Sequence, residues 1–232
     1  MRGGKLLFLL IPLMFLAFAI PKKAPPDDDL QFSPPTEAAQ TVPATAPALE
    51  LPCVARGSEL IVEKIVSYEG DFWEDGTNAY AVNVAALVVY NPGPRGIRKA
   101  EIVIRQGQRQ LAFHISYLPP GSRVLVQERH RNAYVSGSLT QCSCTLLEKA
   151  DFQNAAVSAE SGRDGLLLKN ETDRDFSSVT VHYKQYDEAF GMYLGGISYP
   201  LTAAPLASGE SLQIDPMHYT DGRSRIVLIE AE

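Results

Sequence analysis

The chain has 232 residues and a mass of 25.4 kDa, 45% of them apolar and 21% charged, which is enough apolar content to build a core. Twenty-one basic against 27 acidic side chains leave a net charge of −6, which argues against a nucleic-acid binder, and three cysteines exclude a disulfide-dense scaffold. No stretch is long and apolar enough for a polytopic membrane protein, and no motif names a specific reaction.

The N-terminus opens Met1-Arg2-Gly3-Gly4-Lys5 and then runs apolar over residues 6–20, before Pro21-Lys22-Lys23. A basic start followed by an apolar run marks an export signal. Two readings fit it. In one the run is an uncleaved helical anchor, its 15 residues lengthened by snorkelling of Lys5, Lys22 and Lys23. In the other it is a signal peptide cut after the small-x-small sequence Ala17-Phe18-Ala19, near Ala19. Both export the rest of the chain. The expected location is therefore an extracytoplasmic, membrane-anchored cell envelope, with secretion as the alternative.

Residues 21–55 read as a disordered spacer. Eight of the 16 prolines fall between positions 21 and 52, beside Asp27-Asp28-Asp29 and with almost no aromatic content, so burial cannot offset chain entropy. Such a segment acts as a semi-rigid stalk of about 3 Å per residue.

From residue 58 on, apolar and polar residues alternate in short runs broken by Gly, Pro, Asn and Asp. The alternation predicts strands at 59–67, 79–90, 98–105, 110–117, 122–128 and 139–148, then at 164–169, 177–187, 193–199, 210–214 and 224–231. Many short strands with frequent turns predict an all-β sandwich or barrel. The nearest approach to a helical pattern, 138–154, is rich in Thr and Cys and suits a strand better.

The chain also resembles itself. Leu87–Asn91 followed by Arg98–Ile104 matches Leu166–Asn170 followed by Ser177–Tyr183 at an offset of 79, pairing Asn91 with Asn170, Ile97 with Phe176 and Ile102 with Val181. Leu118-Pro-Pro-Gly121 matches Leu206-Ala-Ser-Gly209 at an offset of 88, so the second copy carries about nine extra residues, placed near Glu188–Gly196 and read as a mobile hairpin loop. The expectation is two tandem immunoglobulin-like β-sandwich units, 56–150 and 151–232, after the apolar helix of residues 1–20 and the linker.

An apolar strand ending in Asn, an amphipathic strand, an aromatic strand, then Leu-x-x-Gly and a further strand resembles small bacterial immunoglobulin-like domains of the FxLYD and CARDB type. The residues that carry it are Leu87–Asn91, Phe113–Gly121 and Tyr183–Gly209. The resemblance implies a binding or spacing module on an exported bacterial protein, and the motifs encode a strand and a turn without chemistry.

Four features are candidates for function. Cys53 paired with Cys142 or Cys144 would tie the entrance of the first unit to its last strand in an oxidising compartment, with one thiol left over. The loop 69–78 holds four carboxylates; Asp71, Glu74 and Asp75 could hold a hard cation such as Ca²⁺, although the spacing is not that of an EF-hand. In the same loop Phe72 and Trp73 form either an exposed binding tip or a plug at the end of a core. Tyr186, Phe190 and Tyr193 belong to a second aromatic cluster that suits a protein or glycan surface. No nucleophile–base pair, phosphate loop or zinc motif is present, so no catalytic residue and no cofactor is expected.

The sequence thus points to a non-enzymatic cell-envelope protein whose partners are the membrane, through residues 6–20, and an envelope protein or glycan, with no nucleic acid. The rival readings are a metal-dependent envelope enzyme and a ligand-sensing ectodomain.

Overall fold

The structure, a computed structural model, describes residues 48–77, 79–152, 157–162 and 165–232. The apolar segment and most of the Pro-rich stretch lie outside the described residues. Among the described residues no helix is long and apolar enough to cross a membrane.

The described chain is all β, as the alternation predicts. Its strands are β1 (Cys53–Val54), β2 (Ile61–Asp71), β3 (Tyr80–Tyr90), β4 (Gly96–Gln106), β5 (Arg109–Leu118), β6 (Arg123–Gln127) and β7 (Gln141–Ala150), then β8 (Val157–Gly162), β9 (Gly165–Asn170), β10 (Val179–Asp187), β11 (Met192–Ala203), β12 (Ser211–Ile214) and β13 (Ser224–Ala231). Strand β8, whose sequence Val-Ser-Ala-Glu-Ser-Gly carries little apolar signal, is not among the predicted runs. Nor is β1: the end of the expected disordered spacer 21–55 is instead ordered, because Leu49, Leu51, Cys53 and Ala55 bury apolar side chains on the first core. The segment with the weak helical pattern contains β7.

Side-chain alternation explains the layers. In β5, Leu111, Phe113 and Ile115 are buried while their neighbours are half-exposed, and in β4 Ile102 and Ile104 turn to the same core. Leu87 and Val89 of β3 and Val124 and Val126 of β6 close that core from the other side. A second core gathers Leu166 and Leu168 of β9, Val179 and Val181 of β10 and Ile229 of β13.

The two halves share one strand order. In the first, β2–β3–β6 faces β5–β4–β7; in the second, β8–β9–β12 faces β11–β10–β13. They do not stand apart as separate sheets. Strand β6 lies beside β11 in parallel, with Val124 against Tyr193 and Leu125 against Leu194, giving a seven-stranded sheet in the order β1-β2-β3-β6-β11-β10-β13. All other strand pairings are antiparallel.

Both sequence offsets reappear as hydrogen bonds. Asn91 donates from Nδ2 to the carbonyls of Arg95 and Pro119 and accepts from Gly93 N, and its backbone bonds to Gly121 and Ser122. Asn170 donates to Arg174 and Ala207 and accepts from Thr172 N, and its backbone bonds to Gly209 and Glu210. Ile97 faces Leu118, and Phe176 faces Leu206. Each buried Asn thus satisfies the turn that follows its strand and the Leu-x-x-Gly turn opposite.

Of the nine extra residues of the second copy, 188–191 form the turn of a hairpin as expected, but the rest are not loop. Met192–Gly196 is strand, joined to β10 by a tight turn, and it carries the two residues that pair with β6. The insertion is what reaches the first half.

The three cysteines are free thiols on the first core. Arg56 bridges to Ser143 and Leu49 to Leu139, laying the entering chain along β7. The Cys53 thiol hydrogen-bonds with that of Cys142, whose pKa burial pushes up to about 12. Cys144 turns instead to the Leu146 carbonyl, 2.9 Å away.

Two tests follow from this geometry. Asn91→Ala and Asn170→Ala should each lower unfolding free energy by about 1–3 kcal/mol, because each leaves buried carbonyls unpaired. The losses should add in the double variant, and urea titration checks this. Oxidised glutathione should join Cys53 to Cys142, two thiols giving up two electrons and two protons as the reagent is reduced to two thiols. Peptide mapping should find Cys144 still free.

Candidate functional site

The site lies where the halves meet, and it starts from one lysine. Strand β10 reads Val-Thr-Val-His-Tyr-Lys-Gln-Tyr-Asp, with Val179, Val181 and Tyr183 on one face and His182 and Lys184 on the other, all buried. In continuous register Gln185 would face Ile197; it faces Leu194 instead, so β11 bulges over Gly195–Ser198. The bulge turns the carbonyls of Gly196 and Ile197 onto Lys184 Nζ, at 2.6 and 3.0 Å, and Ser116 of β5 supplies a third at 2.9 Å. Three acceptors match the three N–H bonds of an ammonium.

Glycine is required at the bulge. A Cβ on Gly196 would fall 1.7 Å from the His114 carbonyl oxygen, and one on Gly195, at φ +78°, would meet Trp73 Cβ at 2.4 Å. The two elements therefore approach closely enough for Glu74 to accept from Gly196 N at 2.7 Å and Gln127 N at 2.9 Å through the same oxygen. Burial raises the pKa of Glu74 and lowers that of Lys184; backbone N–H groups oppose the first shift, and the charge of Glu74 opposes the second.

The rest of the loop is held just as firmly. Trp73 N donates to Gln127 Oε1 at 2.7 Å, and its carbonyl accepts from the Tyr199 hydroxyl at 3.2 Å. Asp75 caps Thr77 and pairs with Arg131 at 2.7 Å. Nearby, Tyr117 has φ +49°, a left-handed backbone that a bulky residue rarely adopts, and stacks on His182 with ring centroids 4.0 Å apart.

Beside this joint opens a cleft of about 880 Å³ built by both halves. Tyr68, Asp71, Trp73 and Tyr80 line one side, and Gln185, Tyr186, Glu188, Met217, His218 and Arg223 the other. Tyr80 and Met217 are 65% and 89% exposed, large side chains with no core to enter. Arg225 lies 3.4 Å above the Tyr186 ring and pairs with Glu188 at 2.6 Å, which fixes that wall.

These positions sort the predicted residues. Trp73 and Tyr186 line the cleft, and Phe190, 72% exposed, follows its wall residue Ala189. Phe72 is no binding tip: it is 1% exposed, packed with Ala81 and Val84, with the Arg131 guanidinium 4.3 Å over its ring. Tyr193 is also core, edge-on to Tyr186 and part of the first half's cluster. The proposed cation ligands do not converge. Asp71 faces the cleft, Glu74 is taken by backbone N–H groups and Asp75 by Arg131, and no group of three His, Cys, Asp or Glu suited to a metal occurs among the described residues. Lys184, Gly195, Gly196 and Gln127 are not among the sequence candidates. No local signal marks Lys184, since its face of β10 reads Thr180, His182, Lys184 and Tyr186, as a solvent-facing side would.

Comparison of the chain with protein-family models, curated proteins and solved structures finds no match.

Lys184→Met strands three carbonyls and leaves Glu74 without its counter-charge, so it should destabilise the fold by roughly 3–5 kcal/mol in urea titration. Glu74→Gln isolates the titration. The folded chain keeps a Glu74 proton that the unfolded chain releases at the ordinary carboxylate value of 4.5. The stability owed to Glu74 is therefore full below that pH and is lost as pH rises toward about 7. The melting temperature of the wild type, taken relative to Glu74→Gln, should fall across that window and level off outside it.

Proposed function

We propose that this chain is a non-enzymatic bacterial cell-envelope protein, two immunoglobulin-like halves fused into one interaction module and carried outside the membrane by residues 6–20 and the Pro-rich stretch. The observation that carries the reading is the aromatic cleft at the joint, where both halves contribute exposed side chains around carboxylates and amides. Aromatic side chains in a rigid concave frame supply contact area at little entropic cost, which is how binding surfaces are built. The export signal and the resemblance to envelope modules support the location. The partner is an envelope protein or glycan that enters the cleft.

The test is co-sedimentation of the purified chain with isolated cell-wall glycan, and surface-plasmon binding to detergent-solubilised envelope proteins. The wild type should bind one of the two. Tyr80→Ser, Met217→Ser and Phe190→Ser combined should weaken binding more than tenfold at unchanged melting temperature, since all three side chains are exposed. Equal binding by the triple variant, or no binding of either fraction by the wild type, would overturn the reading.

A further inference from the structure

A second cleft, of about 380 Å³, has Glu74 in its wall. Its size is at the lower end of the roughly 300–1,000 Å³ of small-molecule sites. Strand geometry fills it with charge. Lys99 and Glu101 alternate with buried Ala100 and Ile102 on β4, and Glu101 lies opposite His114 of β5 and Leu146 of β7. Arg129 follows β6 and is held by its backbone N–H on the Ala112 carbonyl, and Ile197 of the β11 bulge completes the wall.

Three features of this cleft call for a ligand. Lys99 and Arg129, both exposed, line it and make no ion pair among the described residues. At the back, Glu74 Oε1 holds two backbone N–H groups, while Glu74 Oε2 is buried with no hydrogen-bond partner. A second carboxylate, Glu101, lines the same cleft, in register between His114 and Leu146. Cationic and anionic side chains thus line one small space together, and a buried carboxylate oxygen without a donor is unfavourable unless something supplies one. The electropositive side also shows in His114, whose pKa is lowered by burial and by Lys99 and Arg129.

We propose that this cleft binds a small zwitterion of the free amino-acid type, its carboxylate between Lys99 and Arg129 and its ammonium directed to Glu101 and Glu74. A simple anion would satisfy only the cations and leave the carboxylates facing it; a simple cation would do the reverse. The side chain of the ligand would lie against Leu146 and Ile197. Because Glu74 also caps Gly196, occupancy touches the same joint that frames the larger cleft.

The experiment is calorimetric titration of the full chain with the standard L-amino acids one at a time, with sodium acetate and methylammonium chloride as anion-only and cation-only probes. At least one amino acid should bind with Kd below about 1 mM and raise the melting temperature, while both controls give no heat at equal concentration. Lys99→Ala combined with Arg129→Ala should weaken that binding at least tenfold without changing the melting temperature, as should Glu101→Gln alone. Acetate binding as tightly as the amino acids would show an adventitious anion patch only. That result, the absence of any amino-acid binding, or unchanged binding in the double variant would each overturn the proposal.

Discussion

One buried ammonium governs how this chain is put together. Burying a charge is unfavourable by several kcal/mol even after relaxation, so a lysine that folds into an interior dictates what surrounds it. Here it needs three carbonyls, and the interior strands of a sheet have few to spare, because their carbonyls are committed to neighbours on both sides. The β11 bulge frees two of them and Ser116 of β5 provides the third. The lysine therefore specifies where β11 leaves register and which strand of the first half lies against it. Hydrophobic residues of similar volume would stabilise the joint as well or better, but they would tolerate several registers, and the ammonium accepts one.

The joint also explains how two halves of one pattern become a single body. Each half repeats the Asn turn and the Leu-x-x-Gly turn in the same hydrogen-bonded form, so neither turn distinguishes them. What differs is the insertion ahead of Gly195. It lengthens β11 until Tyr193 and Leu194 cap the exposed edge of β6, and it sends Tyr193 into the first core. An unpaired strand edge is a liability, and this contact covers two such edges at once. β11 belongs to the sheet type opposite that of β6, so the continuous sheet changes type as it crosses from one half to the other.

Much of this was legible in the sequence. Alternation located all the long strands, since period 2 depends only on which face meets a core, and the offsets of 79 and 88 anticipated the paired turns. Strand β8 escaped because its core face offers only Val157 and Ala159 before Ser161, too short an apolar alternation to read. The loop 69–78 was singled out for its carboxylates and aromatics, yet their roles depend on groups far along the chain. Glu74 meets the N–H groups of Gln127 and Gly196, and Phe72 meets Arg131, contacts that no local spacing reveals. Oxygen-rich composition reads the same whether the oxygens accept from a cation or from a backbone. Lys184 was passed over because a lysine in a strand ordinarily marks a solvent face; only the burial of both faces of β10 reverses that.

Consecutive residues serve the two clefts, Trp73 lining the large one and Glu74 the small one. Neither wall can shift alone, because Gly195 and Gly196 leave no slack against Trp73 and the His114 carbonyl. A rigid joint with no room for a side chain transmits displacement instead of absorbing it. Any ligand that draws on the free oxygen of Glu74 therefore acts on the Gly196 N–H and on the bulge that cages Lys184. That bulge in turn holds the β10–β11 hairpin, from which Tyr186 and Glu188 reach the larger cleft.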